Sequence, residues 1–344
     1  MNSFLNSSAK TTEFCALALG NALLDHEYAV DEALLQQLDI EKGVMTLIDA
    51  ERYHALNAQL LKMQLHCRRA SGGSAANSMI AIAQLNGKSA LACSVADDAT
   101  GQFYLKDLRD SGVTPLSQPK THPSLVTGTC LVFITPDAER TMLTYLGIAD
   151  QWSINDIQSE HIANTQWLYI EGYSATSAAA RALAFNSRGS VQAQGKRVAM
   201  SFSDLSMVKY FRNGLEEMIA NTPLDLLFCN HHEAFEWTQT SDMSICMEKL
   251  SSIAKEVVIT QGSKGCTGFS AEGSFQAAGY PTKAIDTNGA GDLFAGCYLF
   301  AREQGFAAVK AADFANLAAA ELVKHYGPRL RKNQLQDIWQ SWVK

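Results

Sequence analysis

The residues of this chain that could most clearly do chemistry lie at positions 285–292, IDTNGAGD, directly before an apolar segment with helical periodicity. Backbone N–H groups at a helix start have no intrahelical partners, and the helix dipole adds about half a positive charge there. A turn of Gly289, Ala290 and Gly291 therefore predicts a pocket for an anion. A carboxylate beside that pocket would repel the anion, so Asp292 is explained best as a general base that takes a proton from a hydroxyl aligned with a phosphate. The alternative is an ordinary acidic residue that caps the helix or favours its dipole.

A second group of small and polar residues, SGGSAAN at positions 71–77, precedes an alanine-rich helical segment. Gly72 and Gly73 allow a close backbone approach, and Asn77 offers both a donor and an acceptor. This combination suits the hydroxyls of a sugar. The alternative is a plain loop, in which Gly-Gly-Ser is also common.

The composition and the remaining motifs exclude several classes of protein. With 47% hydrophobic and 18% charged residues the chain has the composition of an ordinary globular protein, and its net charge of -7 argues against nucleic acid as a partner. Its 8 cysteines include no C-x-x-C pair, so they indicate neither a zinc ribbon nor a disulfide scaffold. The chain has no G-x-x-x-x-G-K-[ST] motif, and the pair His232 and Glu233 lacks the second histidine of a zinc protease, since position 236 is glutamate.

The N-terminal sequence and the lengths of the apolar runs bear on the compartment. The first 14 residues lack the basic and apolar regions of a signal peptide, and no run reaches the ~18 apolar residues of a membrane span. We therefore expect a cytoplasmic protein without a membrane partner.

Apolar runs that alternate with helical segments predict the scaffold that must position these residues. Strands are predicted at 14–19, 89–95, 129–135, 166–170, 197–202, 224–229 and 256–260, and helices at 74–85, 100–111, 177–194, 291–304 and 307–326. Such alternation is typical of an α/β fold with a mostly parallel sheet covered on both faces. Residues 26–69 and 117–146 fit less well, because their short strand-like pieces suit a small open sheet. We predict that they form a β-rich lid inserted into the main domain.

The two motifs together, GGSAAN in the first half and DTNGAGD in the second, resemble the paired signatures of the ribokinase-like (PfkB) family of carbohydrate and nucleoside kinases. The resemblance extends from about residue 15 to residue 329. It implies a three-layer α/β/α kinase domain at 13–330 with a central, mostly parallel sheet, the lid at 26–69 and 117–146, and a C-terminal tail segment at 331–344.

Two further segments are similar to elements of that family and imply sites for ATP and Mg²⁺. The sequence NHHE resembles the N-x-x-E motif, in which Asn230 would organise the phosphate region and Glu233 would act on magnesium through water. The sequence TQGSKG resembles the nucleotide segment, which implies that Thr260, Gly262 and Gly265 contact the cofactor.

Within the family, the likeness is strongest to adenosine kinases. The sequence GNALLD, with Asn21 and Asp25, is similar to an element that holds ribose hydroxyls, and a carboxylate can accept from two vicinal hydroxyls at once. Asn288 matches the adenosine kinase form of the second motif, which implies a cofactor contact. Arg140 stands where relatives carry a lid arginine near the transferred phosphate, with an ordinary surface arginine as the alternative, and Glu171 stands at the place of an acidic residue near the sugar.

The resemblance implies an ATP-dependent phosphotransferase that acts on a primary hydroxyl of a ribose-containing, adenosine-like nucleoside or of a sugar. Asp286 stands where potassium-binding relatives have a cation ligand, and a turn-forming residue is the alternative. Two other functions stay open: a kinase of free ribose, fructose or a keto-acid sugar, and a non-catalytic regulator that binds a nucleotide or sugar on the same fold. A monomer and a homodimer are both compatible with the sequence.

Overall fold

Strands and helices of this protein alternate along the chain, much as its apolar runs predict. The computed structural model describes residues 14–137, 139–153, 156–220 and 222–344. Residues 1–13 lie outside the described residues. They include the predicted domain start at residue 13 and nearly all of the segment that we predict not to be a signal peptide. The strands are β1 (Phe14–Leu19), β2 (Leu23–Ala29), β3 (Met45–Leu47), β4 (Arg68–Gly72), β5 (Ser89–Ala92), β6 (Val113–Pro115), β7 (Gly128–Ile134), β8 (Arg140–Tyr145), β9 (Thr165–Glu171), β10 (Arg197–Ser201), β11 (Leu226–Asn230), β12 (Val257–Thr260), β13 (Gly265–Ser270) and β14 (Gly273–Ala278). The α-helices are α1 (Glu32–Gln37), α2 (Ala50–Lys62), α3 (Ser74–Gln84), α4 (Ala99–Asp110), α5 (Ser159–Ala163), α6 (Ala178–Ala193), α7 (Leu205–Tyr210), α8 (Arg212–Ile219), α9 (His231–Thr238), α10 (Met243–Leu250), α11 (Ala290–Glu303), α12 (Ala308–Leu322) and α13 (Lys332–Val343).

The larger sheet has the strand order β14-β13-β12-β11-β10-β9-β1-β5-β6 within these ranges. In this sheet, β6, β5, β1, β9, β10, β11 and β12 pair in parallel in that order, and the hairpin of β13 and β14 adds an antiparallel edge. Alternate residues of β1 enter two cores: Ala16 and Ala18 lie under α3, α11 and α12, whereas Leu17 and Leu19 lie under α6 and α8. Both faces are buried, which explains why this strand is apolar throughout. The predicted α/β/α fold with a mostly parallel sheet is confirmed.

The smaller sheet has the order β3-β8-β7-β2-β4. Helices α1 and α2 cover one of its faces, where Leu56 shares a core with Tyr28 and Phe133. This sheet begins at Leu23, before the predicted lid boundary at residue 26. The boundary was hard to predict because β2, LLDHEYA, carries three polar side chains and shows no clear apolar alternation. That the sheet acts as a lid remains a prediction.

The predicted C-terminal segment, residues 331–344, is mostly the helix α13, which packs against α12. Helix α12 ends at Leu322, before the predicted end at 326, and residues 323–331 connect it to α13. Trp339 of α13 packs against Phe314 with ring centroids 4.7 Å apart, and Leu335 is fully buried. Leu335 and Trp339 are four residues apart, which positions both side chains on one face of α13. None of the helices in the described part of the chain has the length and apolar character needed to cross a membrane.

Candidate active site

A cavity of about 410 Å³ lies between the carboxyl ends of the parallel strands and the face of the smaller sheet that α1 and α2 do not cover. Its walls therefore come from both sheets and from the start of α11. The predicted site residues that line it are Asn21, Asp25, Gly73, Asn77, Arg140, Glu171, Asn230, Glu233, Thr260, Gly262, Asn288, Gly289, Ala290, Gly291 and Asp292. Three predicted residues are not among the lining residues, namely Gly72, Gly265 and Asp286.

The carboxylate of Asp292, in the first turn of α11, joins the two sequence motifs. Its Oδ1 accepts a hydrogen bond from Ser74 Oγ at 2.6 Å, and its Oδ2 accepts one from Asn77 Nδ2 at 3.0 Å. Burial raises the pKa of Asp292, whereas the hydrogen bonds from Ser74 and Asn77 and the positive charges of Arg140 and Arg329 oppose that rise. A carboxylate in this position can accept a proton from a hydroxyl held by the loop before α3.

The start of α11 leaves backbone amides open to the cavity. No side chain of the described residues caps the helix, and Ala290 N donates a long hydrogen bond of 3.3 Å to the Thr287 carbonyl. Gly289 adopts a left-handed conformation with φ of 71°, and a Cβ there would lie 2.4 Å from the Pro328 carbonyl oxygen. A Cβ on Gly291 would meet no atom within 4 Å. The geometry therefore fits the anion pocket that the sequence predicts.

The side chain of Asp25 reaches the cavity from β2, beneath the loop that carries the two glycines. A Cβ on Gly72 would lie 2.0 Å from Asp25 Oδ1, so this position has room for glycine alone. Gly73 has φ of 95°, and a Cβ there would lie 2.4 Å from the Asn21 carbonyl oxygen. Burial, with a smaller effect of Glu27, raises the pKa of Asp25 to about 8. In the described residues, no hydrogen bond to the Asp25 carboxylate is present, which leaves it available to a ligand's hydroxyls.

Glu171 lies at the carboxyl end of β9 and is almost fully buried. Its two oxygens accept hydrogen bonds from the backbone N–H of Asn21 at 2.7 Å and of Ala75 at 2.9 Å. Burial raises the pKa of Glu171 to about 7, against these two bonds. Since both oxygens hold backbone, the side chain braces the two loops that carry the candidate sugar ligands.

Asn230 and Glu233 hold each other at the start of α9. Glu233 accepts from Asn230 N at 3.0 Å and from its Nδ2 at 2.6 Å, while Asn230 Oδ1 accepts from Glu233 N at 2.9 Å. Burial raises the pKa of Glu233 to about 8. The described residues contain no group of three or more His, Cys, Asp or Glu side chains suited to hold a metal ion. This donor set fits a Mg²⁺ ion held mainly by phosphate oxygens and water, which Glu233 would contact through water.

Two of the predicted residues that do not line the cavity, Gly265 and Asp286, lie in close contact with backbone groups. Gly265 has φ of 88° at the start of β13, and a Cβ there would lie 2.1 Å from the Ala277 carbonyl oxygen. Asp286 is fully buried, and its carboxylate accepts from the backbone N–H of Asn288 and of Gly327, both at 2.8 Å. The contact to Asn288 is the turn that the sequence allows as an alternative. The monovalent cation at Asp286 remains a prediction.

Comparison with known proteins assigns this chain to a family. The sequence profile of the pfkB family carbohydrate kinases matches residues 43–334. The chain belongs to the PfkB family. The resemblance of the two motifs to this family is thereby confirmed, and so is the assignment of the protein as a phosphotransferase.

Individual PfkB relatives differ in the substrate that they are named for. A probable sugar kinase protein from Rhizobium etli CFN 42 has a TM-score of 0.89 and 28% identity over 97% of this chain and 100% of its own. Adenosine kinase from Sinorhizobium meliloti has a TM-score of 0.88 and 29% identity over 96% of this chain and 100% of its own. A 5-dehydro-2-deoxygluconokinase from Clostridium perfringens is 26% identical over 268 residues, which cover 73% of this chain and 78% of the relative.

The sequence patterns of this PfkB enzyme did not reveal three residues at the site. Ser74 holds Asp292, Arg329 donates to Asn77 Oδ1 at 3.0 Å, and Glu27 accepts from Asn288 Nδ2 at 3.1 Å. The two-residue period of a strand could have placed Glu27 on the same face as Asp25. No comparable signal exists for Arg329, because its contacts are far away in the sequence.

Proposed function

We propose that this PfkB enzyme transfers the γ-phosphoryl group of ATP to a primary hydroxyl of a ribose-containing, adenosine-like nucleoside. The observation that carries the proposal is the position of the Asp292 carboxylate. It lies at the start of α11, where an anion would bind, and it is hydrogen-bonded to Ser74 and Asn77 in the first turn of α3, next to the glycines that would adjoin the sugar. The same carboxylate therefore adjoins both the place expected for the phosphoryl group and the place expected for the acceptor hydroxyl.

The roles of the chain's own residues follow from this geometry. Asp292 takes the proton of the substrate hydroxyl. The oxygen of that hydroxyl forms a bond to the γ-phosphorus, while the bond between this phosphorus and the departing ADP oxygen breaks. Backbone amides of Gly289 and Gly291 stabilise the charge on the transferring group. Asn21 and Asp25 hold the ribose hydroxyls. Mg²⁺, when bound with ATP, neutralises charge on the phosphates.

The smaller sheet favours a substrate with a ring attached to the sugar. Apolar side chains of this sheet line the cavity, namely Leu23, Met45, Leu47, Cys130 and Met142. They could pack against the face of a base, which a free sugar lacks. The 29% identical adenosine kinase from Sinorhizobium meliloti supports the same substrate class.

A sugar or sugar acid is the second candidate. The relative named 5-dehydro-2-deoxygluconokinase supports it, and Arg140 lines the cavity, where its guanidinium could pair with a carboxylate. No lysine is present among the described residues that line the cavity. A phosphorylated sugar, which calls for several cations, is therefore less well matched.

A substrate panel tests the proposal. ADP release is measured with MgATP and adenosine, inosine, guanosine, ribose, fructose or 5-dehydro-2-deoxygluconate. We expect the highest kcat/KM with a nucleoside. Turnover with the sugars alone would select the second candidate, and tight binding without turnover of any compound would select the non-catalytic regulator.

The variant Asp292→Asn tests the base. We expect it to bind nucleoside but to lose roughly 10²- to 10⁴-fold in kcat, which is the usual contribution of a positioned base. Asp313→Asn is a matched control, because Asp313 also accepts from two side chains, Tyr280 Oη at 2.9 Å and Trp342 Nε1 at 2.8 Å, and does not line the cavity. Wild-type kcat in Asp292→Asn would remove Asp292 from the mechanism.

A further inference from the structure

The connection between α12 and α13, residues 323–331, contacts several parts of the candidate site at once. Gly327 N donates to the Asp286 carboxylate, and Pro328 packs against Gly289 at the start of α11. The guanidinium of Arg68, on β4 of the smaller sheet, stacks 4.7 Å from the ring centroid of Tyr326. This connection belongs to neither sequence motif, yet it joins the anion pocket to the smaller sheet.

Arg329 extends from this connection to the first turn of α3 and to the neighbouring end of β4. Its Nε donates to Asn77 Oδ1 at 3.0 Å, its Nη1 donates to Asp107 Oδ2 at 2.7 Å, and its Nη2 donates to the Ser71 carbonyl oxygen. The side chain is only 16% exposed. All three donating nitrogens of the planar guanidinium therefore have partners, which fixes the group in place.

The contact to Asn77 decides which end of that amide faces the candidate base. An amide has one end that accepts and one that donates, and the two ends have nearly the same shape. Because a guanidinium can only donate, it holds Oδ1 of Asn77. The other end, Nδ2, then points to Asp292 Oδ2 at 3.0 Å. A reversed amide would place its oxygen against the carboxylate and its NH₂ against the guanidinium, and both contacts would be repulsive.

We propose that Arg329 is a positioning residue for phosphoryl transfer, which fixes the amide of Asn77 so that Asn77 holds the Asp292 carboxylate toward the substrate hydroxyl. The inference rests on the proposed role of Asp292 as the base. Arg329 itself touches no reacting atom. Its effect passes through Asn77, and Asp107 and the Ser71 carbonyl serve to hold the guanidinium.

Arg329 also acts through its charge. The groups that face the Asp292 carboxylate from the surrounding elements are Arg140, Arg329, Asp25, Glu171, Tyr169 and Tyr173. Arg140 and Arg329 are the positive charges among them, and both lower the pKa of Asp292 against the effect of burial. Removal of the Arg329 charge should therefore move the loss of kcat on the acid side to higher pH.

Two substitutions separate orientation from charge. Arg329→Gln removes both, so we expect kcat with adenosine at saturating MgATP to fall about 10- to 100-fold, as misplaced catalytic groups cause, and the acid side of the pH profile to move to higher pH. Arg329→Lys keeps the charge but cannot donate to three separated acceptors. Its kcat should fall as well, with the acid side of the profile unchanged. The KM for ATP should stay near the wild-type value in both. If adenosine is not turned over, the best substrate of the panel replaces it.

Arg302→Gln serves as the control for loss of a mostly buried arginine. Arg302 pairs with Glu256 at 2.9 Å and with Glu272 at 3.1 Å at the far end of α11, and it does not line the cavity. We expect it to lower Tm without changing kcat or the pH profile.

Wild-type kcat and pH profile in Arg329→Gln would overturn the proposal, whatever the change in Tm. If that variant fails to fold, Arg329→Lys decides: a lower kcat supports the positioning role, and a wild-type kcat refutes it. Asp292→Asn measured beside them separates the two ideas. An inactive Asp292→Asn with wild-type-like Arg329 variants leaves the proposed function intact and removes the positioning role, whereas an active Asp292→Asn removes the base assignment itself.

Discussion

At the scale of single residues, the candidate site depends on glycines for two different reasons. Gly72 and Gly289 are surrounded by other atoms: a Cβ would meet Asp25 at 2.0 Å in the first case and the Pro328 backbone at 2.4 Å in the second. Gly291 instead faces open space at the start of α11. Packing explains the first two glycines, whereas the open space at Gly291 is where we predict that a bound phosphate lies.

Gly291→Ala tests that interpretation. Alanine is better than glycine in a helix by about 0.5–1 kcal/mol, and nothing in the structure opposes the new methyl group, so Tm should stay the same or rise slightly. The methyl group would occupy the space expected for the anion, so kcat should fall by roughly 100- to 1000-fold, the scale of a lost oxyanion-hole donor.

Gly189→Ala is the matched control, because Gly189 lies in α6 and a Cβ there also meets nothing within 4 Å. It should match Gly291→Ala in thermal unfolding while keeping full activity. Equal kinetics for both variants would show that Gly291 does not adjoin the phosphate.

At the scale of elements, one amide connects the smaller sheet to the anion pocket. Asn288, just before α11, accepts from Arg140 Nη1 at 2.7 Å through Oδ1 and donates to Glu27 Oε1 at 3.1 Å through Nδ2. Glu27 belongs to β2 and Arg140 to β8, so both contacts hold the same sheet. Such a contact would favour the closed position of a lid over bound substrate.

Asn288→Ala should weaken that closure. Hydrogen bonds to charged groups contribute about 1.5–3 kcal/mol each, and about 1.4 kcal/mol corresponds to tenfold, so we expect KM for the acceptor to rise at least about tenfold. ATP hydrolysis without an acceptor should increase, because a less closed cavity admits water.

Lys42→Ala is a suitable control in the connection between α1 and β3. Lys42 pairs with Glu32 and Asp137 and does not line the cavity. Steady-state kinetics gives the KM for the acceptor in both variants. An unchanged KM in Asn288→Ala would argue against a role of this contact in closure.

At the scale of the whole molecule, the cavity collects buried acids whose ionisation the fold opposes. Burial raises the pKa of Asp25 to about 8, of Glu171 to about 7 and of Glu233 to about 8. Because these pKa values are higher in the folded protein than in the unfolded chain, the stability they contribute is fully present below about pH 4 and is lost as pH rises toward 7 or 8. The protein without ligand should therefore become less stable over that window.

Asp25→Asn isolates one of these groups. Asparagine resembles the neutral acid and does not titrate. The free energy of unfolding of the variant minus that of the wild type should therefore rise by up to about 1.4 kcal/mol per pH unit between about pH 4 and pH 8, and this difference should be constant at higher pH. Denaturant titrations of both proteins across this range measure the difference. A difference that does not change with pH would mean that Asp25 is ionised over the whole range. Independently of this result, we expect a nucleoside to bind the variant more weakly than the wild type.

The sequence by itself determined the scaffold of this PfkB enzyme and predicted most of the polar residues that line the cavity. Apolar runs such as the one in β1 are local, and so is the turn of small residues before α11, so their periodicity and composition can be interpreted without knowledge of distant residues. The same is true of the two motifs, because each carries its own backbone geometry. The polar strand β2 was less readable, since its side chains serve the cavity instead of a core.

Only the tertiary structure decided how these pieces act on one another. It placed Asn77 of the first motif 3.0 Å from Asp292 of the second, and it brought Arg329 to Asn77 from the far end of the chain. It also showed that the Glu171 carboxylate accepts from backbone N–H groups and that the C-terminal helix packs against α12. Hydrogen bonds between residues so far apart depend on how the strands and helices pack, and a one-dimensional pattern of residue types does not contain that information.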